Sequence, residues 1–293
     1  MNARQAAREG ATLLARAGIE DADLEAELLA REAGHLDRAA YFAGRDLESA
    51  EITRFHELVA RRLQREPAAY ILGTREFYGL EFEVTPHALV PRPETELLVD
   101  LAIRECRELP SPPARGAGGE DGHSVLSPQS SPLVIDVGSG TGCIAIATAI
   151  HLPHARIVAT DISPAALAVA RRNRDRHNAP VQLLAGDLAA PIAHADIILA
   201  NLPYIPTDEV RALEPEVRDY EPILALDGGG DGLDLIRRLI DDCATRLRPR
   251  LLALEVGYGQ AGTVEAYAKR QGAATELLKD LAGIDRVVCC RWA

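Results

Sequence analysis

The sequence has little of what marks a membrane protein or a nucleic-acid-binding protein. Its longest apolar stretches, such as Cys143 to Ile150, fall far short of the roughly 18 residues that suggest a membrane span. Lysine occurs only at Lys269 and Lys279, and 44 acidic side chains outnumber 32 basic ones, for a net charge of −12. Because an acidic chain repels nucleic acid at long range, we expect neither a broad nucleic-acid-binding surface nor membrane association.

Cysteine is also sparse, and its spacing excludes the usual thiolate metal sites. No Cys-x-x-Cys pair occurs, and the eight histidines show no metal-ligand spacing, so we expect no metal. The five cysteines are expected to be buried thiols in the reducing cytoplasm. The N-terminal residues lack the apolar core of a signal peptide, which favours a domain helix there. The cysteines are Cys106, Cys143, Cys243, Cys289 and Cys290.

The composition that is present is typical of a soluble globular protein of two domains. Apolar residues make up 47% and charged residues 26% of the 293 positions. Residues 1–75 have apolar residues at helical spacing and predict a domain of four or five short helices. Residues 76–93 are rich in strand formers and predict a β-hairpin linker. We expect residues 94–293 to form the second domain.

This second domain alternates strands with helices, which predicts an α/β, doubly wound, Rossmann-like sheet. Ligands in that architecture bind beyond the carboxyl ends of the strands. Residues 110–132 are rich in Pro, Gly and Ser and predict a flexible insertion. The predicted strands cover 133–137, 156–160, 181–184, 196–200, 251–256 and 286–291. The predicted helices cover 94–108, 142–150, 164–176, 234–246 and 264–271.

A glycine loop, Gly138 to Gly142, follows the first strand of this sheet. Its glycines let the backbone turn tightly and approach a ligand closely, but the spacing fits neither the dinucleotide motif nor a P-loop. Asp161 ends the second strand and can accept hydrogen bonds from ribose hydroxyls, and Asp187 ends the third, near an adenine edge. Three carboxylates, counting Asp136, suit a cationic adenosine compound better than a pyrophosphate. S-adenosylmethionine is the obvious candidate, and the alternative is a tight turn with helix-capping acids.

The Asn201 loop, Asn201-Leu-Pro-Tyr204, follows the fourth strand and suggests methyl transfer to nitrogen. An amide nitrogen is unreactive because its lone pair is delocalised. Two acceptors, the Asn201 side-chain carbonyl and the Leu202 backbone carbonyl, can orient such a nitrogen and favour positive charge on it. Pro203 restricts Leu202, and Tyr204 can stack on a planar amide or base. The alternative is a buried Asn-Pro turn at a strand end.

Several further segments form a common pattern when taken in order. They are Ala69-Tyr-Ile-Leu-Gly73, Glu76-Phe-Tyr-Gly79, Val90-Pro-Arg-Pro-Glu-Thr-Glu96, Tyr220-Glu-Pro222, Leu226 through Asp231-Gly-Leu233, Leu254-Glu-Val-Gly-Tyr258 and Lys279-Asp-Leu-Ala-Gly-Ile-Asp-Arg286. Together they resemble the peptide chain release factor glutamine N5-methyltransferase (PrmC/HemK) family. The resemblance covers about residues 21–289, apart from 110–132.

The resemblance implies a helical N-terminal domain, a hairpin linker and a C-terminal methyltransferase domain. It also implies methyl transfer from S-adenosylmethionine to the glutamine of a release factor's Gly-Gly-Gln tripeptide. We expect the helical domain to dock the factor, and the enzyme to be a cytoplasmic monomer. Asn201, Leu202, Pro203 and Tyr204 are the implied catalytic and glutamine-binding residues. The candidate donor-binding residues are Asp136, Gly138, Ser139, Gly140, Thr141, Gly142, Asp161, Asp187, Leu188 and Asn201.

Two positions depart from the family pattern, and three other functions stay open. The family usually has Pro where Leu202 stands, but the backbone carbonyl is retained; Leu188 can pack against an adenine but cannot stack on it. A ribosomal-protein glutamine methyltransferase, an RNA adenine N6-methyltransferase and an inactive donor-binding module are the alternatives. Arg92 either contacts donor or substrate or forms a salt bridge that anchors the hairpin.

Overall fold

The structure is a computed structural model that describes residues 1–108 and 131–292. Their contacts divide into two units. The helical unit contains residues 1–75, 84–86 and 213–220, and the sheet unit contains residues 76–83, 87–212 and 221–293. The predicted insertion at 110–132 lies outside the described residues, apart from positions 131 and 132.

The helical unit begins with five helices that pack small apolar side chains, many of them alanine, into a core of their own. A capping box starts the first helix: the Asn2 side chain accepts from the Gln5 backbone N–H at 2.9 Å, and the Gln5 side chain accepts from the Asn2 backbone. The helices are α1 (Ala3–Arg16), α2 (Ala22–Ala33), α3 (Arg38–Phe42), α4 (Ser49–Leu63) and α5 (Ala68–Leu72).

A distant segment, residues 213–220 with the short helix α9 (Pro215–Arg218), completes the helical unit. It is attached through Arg62, whose side chain donates to Glu25 Oε2 at 2.6 Å and to Glu216 Oε1 at 2.9 Å. Arg62 is only 5% exposed, and two carboxylates compensate its buried charge. Sequence reasoning does not assign this segment to the helical unit.

Two strands, β1 (Thr74–Phe77) and β2 (Leu80–Glu83), form a separate two-stranded sheet. Tyr78 and Gly79 between them both have positive φ, at 53° and 72°. Positive φ at both central residues is typical of the tight turns that match strand twist in hairpins.

The sheet unit contains a seven-stranded sheet in the order β5-β4-β3-β6-β7-β9-β8. Every neighbouring pair from β5 to β7 is parallel, and β9 pairs antiparallel with β7 and β8. The predicted α/β Rossmann-like class is therefore confirmed. The strands are β3 (Leu133–Val137), β4 (Arg156–Asp161), β5 (Val181–Ala185), β6 (Ile197–Ala200), β7 (Leu251–Glu255), β8 (Ala274–Lys279) and β9 (Asp285–Arg291).

Helices cover both faces of this sheet, because alternate residues of its central strands are apolar on both sides. Val134 and Ile197 belong to one buried cluster, with α6 and α7, whereas Ile135 and Ile198 belong to the other, with α10 and α11. The helices are α6 (Glu96–Glu108), α7 (Cys143–His151), α8 (Pro164–Arg176), α10 (Asp234–Asp242) and α11 (Ala261–Arg270).

One predicted helix ends earlier in the structure than predicted, and one strand of the sheet was not predicted. The predicted helix at 234–246 is α-helical only to Asp242 and ends in a π-helical turn, Cys243–Leu247. Strand β8 is absent from the prediction because its exposed and half-buried residues give no continuous apolar run. No helix in residues 1–108 or 131–292 is long and apolar enough to cross a bilayer.

Candidate active site

The glycine loop requires glycine for two reasons: its backbone has positive φ, and neighbouring side chains leave no room for a Cβ at two of its positions. Gly138, Gly140 and Gly142 have φ of 76°, 55° and 82°, a region that side chains disfavour. A Cβ on Gly142 would lie 3.1 Å from Ile146 Cδ1, and one on Gly138 would lie 3.0 Å from Leu202 Cδ2. The glycine loop can therefore lie against the following helix and the Asn201 loop.

Asp161, at the end of β4, holds the glycine loop in place. Its Oδ2 accepts from the Gly140 N–H and its Oδ1 accepts from the Ser163 N–H, both at 2.8 Å. Burial raises the pKa of this carboxyl, and hydrogen bonds from the backbone N–H groups of Ser163, Gly140 and Ile162 oppose that rise. Each oxygen keeps a second lone pair, so the carboxylate can still accept from a ligand hydroxyl.

The other two predicted carboxylates have different surroundings. Asp136 is 1% exposed, and its Oδ2 accepts from the Ala145 N–H at 3.2 Å. Burial raises the pKa of Asp136 to about 7. Asp187 is exposed and forms an ion pair with Arg238 at 2.6 Å. Asp136 thus holds the start of the helix after the glycine loop from the protein interior, whereas Asp187 lies at the surface of the site.

The Asn201 loop is held from both ends. The Asn201 Nδ2 donates to Thr95 Oγ1 at 3.0 Å. At the other end, Gln260 Nε2 donates to the Tyr204 backbone carbonyl at 2.7 Å. A Cβ on Gly232 would lie 2.2 Å from that same carbonyl oxygen, so glycine permits the close packing of the two segments. These contacts fix the backbone that carries the two predicted acceptors.

A cavity of about 230 Å³ brings most predicted site residues together. Among the predicted residues, the cavity is lined by Gly138, Ser139, Gly140, Thr141, Asp161, Asp187, Leu188, Asn201, Leu202 and Pro203. Asp136, Gly142 and Tyr204 do not line it. Apolar walls with a few convergent polar groups are the usual form of a small-molecule site.

The cavity also has lining residues that sequence reasoning missed, among them Leu89, Thr95 and Arg238. Thr95 lies inside the motif Val90 to Glu96. It is the only hydroxyl side chain of that motif, and this could have marked it as a candidate site residue. Arg92 lines the cavity as well and forms a salt bridge with the buried Glu221. An ion pair was one of the two interpretations of Arg92; the other, contact with donor or substrate, stays a prediction, because Arg92 also lines the cavity.

The residues at the cavity fit an adenosine-containing sulfonium compound. Asp161 offers a carboxylate to hydroxyl groups, and Leu188 and Ile162 offer apolar contact to a ring. A Cβ on Gly140 would have only one atom within 4 Å, Ala88 Cβ at 3.9 Å, so the loop leaves space beside it. Within the described ranges, no group of three or more His, Cys, Asp or Glu side chains has the arrangement of a metal site.

The fold and the site together define a class I methyltransferase. Residues 5–73 match the family described as "PrmC N-terminal domain", and residues 123–214 match "Methyltransferase small domain". A release factor glutamine methyltransferase of Geobacter sulfurreducens is 43% identical over 94% of this chain and 91% of the relative. One of Moorella thermoacetica is 41% identical over 98% of this chain and 97% of the relative. The chain belongs to the release factor glutamine methyltransferase family, whose methyl donor is S-adenosylmethionine.

Solved structures agree on the fold alone. The catalytic domain of hMettl16, solved with the MAT2A 3′UTR hairpin 6, has a TM-score of 0.55 at 14% identity, covering 86% of each chain. A methyltransferase from Pyrococcus furiosus has a TM-score of 0.50 at 16% identity, covering 80% of this chain and 98% of its own.

Proposed function

We propose that this chain transfers the methyl group of S-adenosylmethionine to the side-chain amide nitrogen of the glutamine in the Gly-Gly-Gln motif of peptide chain release factors. The observation that carries the proposal is the Asn201 loop at the cavity, in a chain 43% identical over 94% of its length to a release factor glutamine methyltransferase. The donor, when bound, supplies an electrophilic methyl group on a sulfonium.

The residues of this chain act by orienting the glutamine amide. The Asn201 side-chain carbonyl and the Leu202 backbone carbonyl accept hydrogen bonds from its two N–H groups. Both acceptors become stronger partners as positive charge develops on the nitrogen, so they favour the transition state over the ground state. Leu202 in place of the usual proline retains the backbone acceptor. The protonated product is a strong acid that can lose its proton to water.

The glycine loop and Asp161 hold the methyl donor on this proposal. Asp161 accepts from ribose hydroxyls, and Leu188 packs against the adenine. Asp136 supports the loop from beneath, since its carboxylate accepts from the Ala145 N–H in the first turn of the following helix. Asp187 and Arg238 form a charged pair at the adenine side of the cavity.

The substrate is tested by incubating the chain with labelled S-adenosylmethionine and a panel of acceptors. The panel contains a release factor, the same factor with Gly-Gly-Ala in place of Gly-Gly-Gln, ribosomal proteins and ribosomal RNA. We expect label only on the intact release factor, and mass mapping should locate it on the glutamine side chain. Label on a ribosomal protein or on RNA adenine, with none on the factor, would overturn the proposal.

The helical unit docks the factor on this proposal, because a tripeptide alone offers too little surface for specificity. Leu24 and Phe42 are large apolar side chains exposed on this unit. Leu24→Ser or Phe42→Ser should raise the KM for the whole factor about fivefold or more, but not the KM for a short Gly-Gly-Gln peptide. Leu281→Ser, at an exposed leucine of the sheet unit, is the matched control. Equal KM values for all three variants would contradict the docking role.

The same proposal describes a cytoplasmic enzyme that acts as a monomer on a protein substrate. The five cysteines are free thiols, which suits a reducing compartment. The net charge of −12 disfavours a nucleic-acid substrate held over a wide surface.

A further inference from the structure

The loop that follows β5 forms the side of the cavity where the adenine is proposed to bind. This Leu188 loop runs from Gly186 to Ile192, and its first three residues line the cavity. Its later part turns inward, since Ala189 is fully buried and Ile192 is only 6% exposed. The Leu188 loop is neither helix nor strand, so contacts with the rest of the sheet unit must fix its shape.

Leu188 has a backbone conformation that side chains disfavour. Its φ is 50°, in the left-handed region that favours glycine. A residue in such a conformation persists only where its surroundings determine it. One contact that does so comes from β4, where the Thr160 hydroxyl donates to the Leu188 carbonyl at 2.9 Å. Contacts on the rest of the loop must contribute as well.

An ion pair with α10 holds the start of the Leu188 loop, but only weakly. Arg238, on α10, pairs with Asp187 at 2.6 Å. The two side chains are 54% and 47% exposed. An ion pair this exposed contributes little because water screens it.

Arg246 holds the end of the Leu188 loop through its backbone. Its guanidinium donates to the Ala189 carbonyl at 3.0 Å and also to the Ile192 carbonyl. Asp242 accepts from Arg246 Nε at 2.7 Å and so fixes the guanidinium in turn. Hydrogen bonds from a charged donor are about twice as strong as neutral ones, and both carbonyls belong to buried residues. Arg246 lies in the π-helical turn Cys243–Leu247, and such turns occur frequently at functional sites.

The leucine at position 188 makes the exact place of this loop important. Leucine cannot stack on adenine as an aromatic side chain does, so it contributes apolar contact alone. A gap of about 0.5–1 Å forfeits a quarter to a half of such a contact. A small displacement of the Leu188 loop should therefore weaken the binding of an adenosine compound.

We propose that Arg246 is a positioning residue for the methyl donor: by holding the carbonyls of Ala189 and Ile192, it keeps the strained Leu188 against the adenine. The inference deepens the proposed function and rests on its placement of the adenine at Leu188. Arg246 itself does not line the cavity, so it acts through the loop and not by contact with the donor.

Calorimetric titration of the full chain with S-adenosylmethionine, without any acceptor, tests this inference. Arg246→Met keeps the aliphatic part of the side chain and removes its donors. It should raise the dissociation constant about 10-fold, because the donor must then order the loop as it binds. Arg246→Lys retains one charged donor and should restore part of the affinity. Arg237→Met is the matched control and should leave the affinity unchanged, because Arg237 is also on α10 and pairs with Asp231 at 2.8 Å outside the cavity lining.

A double-mutant cycle separates positioning from a general loss of stability. Leu188→Ala should itself weaken donor binding, and Arg246→Met should then add little, because the side chain that it positions is gone. In methyl transfer to a release factor, Arg246→Met should raise the KM of the donor. It should leave kcat at saturating donor and the KM of the factor within about twofold of wild type, since other contacts hold the Asn201 loop.

An unchanged dissociation constant in a folded Arg246→Met would overturn the positioning role. Full additivity with Leu188→Ala, or an equal loss in Arg237→Met, would overturn it as well. Thermal unfolding without donor shows whether each variant is folded; if Arg246→Met is not, Arg246→Lys replaces it in the cycle, and its smaller loss should vanish beside Leu188→Ala. Failure of the proposed function looks different: the release factor then receives no label, while the donor affinities still follow the expected order.

Discussion

Asn201 combines two tasks that constrain each other. Its Nδ2 is used in holding the side chain against Thr95, and its Oδ1 is the acceptor that the proposed chemistry requires. A carboxamide suits both tasks, because its NH2 donates and its carbonyl oxygen accepts at opposite ends of one short planar group.

Replacing Asn201 by alanine removes the side-chain acceptor and leaves the backbone acceptor of Leu202. We expect Asn201→Ala to lower kcat by about 100- to 1000-fold, the loss typical of removing one group that stabilises developing charge. The measurement is single-turnover methyl transfer to a release factor, with the thermal unfolding midpoint as the check on folding. A folded variant with near-normal turnover would remove Asn201 from the mechanism.

Asp161 contributes to donor binding directly and through the glycine loop that it orders. We expect Asp161→Ala to raise the dissociation constant of S-adenosylmethionine by about 10- to 100-fold, the equivalent of one lost hydrogen bond to a charged group. Calorimetric titration measures this. Asp187→Asn is the control, since Asp187 is exposed and pairs with Arg238, and its effect should be smaller. Equal losses in the two variants would contradict the assignment to Asp161.

Sequence reasoning predicted much of the cavity lining because the site residues follow parallel strands. Asp161, Asp187 and Asn201 each come just after a predicted strand, and the carboxyl ends of such strands share one edge of the sheet. Thr95 was not predicted, since it meets Asn201 across 106 positions of sequence and no periodicity encodes that contact. The roles of these residues in binding and catalysis stay predictions.

Gly232 allows its segment to pack closely against the Asn201 loop. Gly232 has φ of 79°, and a Cβ there would lie 2.2 Å from the Tyr204 carbonyl oxygen. The carbonyl belongs to the backbone and cannot give way without moving the loop that carries the acceptors.

We therefore expect Gly232→Ala to lower both the free energy of unfolding and kcat. The loss of stability should exceed about 1 kcal/mol, because strained backbone and a clash add together. Urea unfolding and methyl transfer measure the two effects. Gly283→Ala is the matched control. Its φ is 78°, but nothing lies within 4 Å of its Cβ position, so this variant should lose only the stability that the strained backbone conformation costs. Similar effects in both variants would show that the close packing is unimportant.

Elements with a strong apolar pattern were predicted within a few residues, and elements without one were not. β3 buries four of its five residues and β4 buries four of its six, which gives mainly apolar runs. β8 has exposed residues at Ala274, Glu276 and Lys279 and is bound to the sheet by backbone pairing with β9, which leaves little trace in side-chain chemistry.

At the scale of the whole molecule, the division into domains at residues 75 and 93 stays a prediction. The contacts of the chain divide into two units, and residues 213–220 lie in the helical one. Residues 213–220 belong with the helical unit because Arg62 binds Glu216 across 154 positions. An arginine in a helix is ordinarily interpreted as exposed, and nothing local distinguishes Arg62 from its neighbour Arg61. Long-range ion pairs of this kind become visible only once the chain is folded.

The buried carboxyl groups make the stability of the whole molecule depend on pH. The direction of this dependence follows from the direction of their pKa shifts. Burial raises the pKa of Glu255 from 4.5 to about 7, so the folded chain binds a proton there that the unfolded chain has released. This contribution to stability is complete below pH 4.5 and is lost as the pH rises through about 7. Asp136 acts in the same direction.

We expect Glu255→Gln to gain stability relative to the wild type as the pH rises from 5 to 8, because the variant has no buried charge to form. Thermal unfolding midpoints of both proteins at each pH measure the difference. Glu265→Gln is the control, since Lys269 and Thr275 lower the pKa of Glu265 from 4.5, so its charge is constant from pH 5 to 8 and the stability difference should not change with pH there. If Glu255→Gln gained no stability over the wild type across this range, the buried Glu255 carboxyl would not be a group whose ionisation destabilises the folded chain.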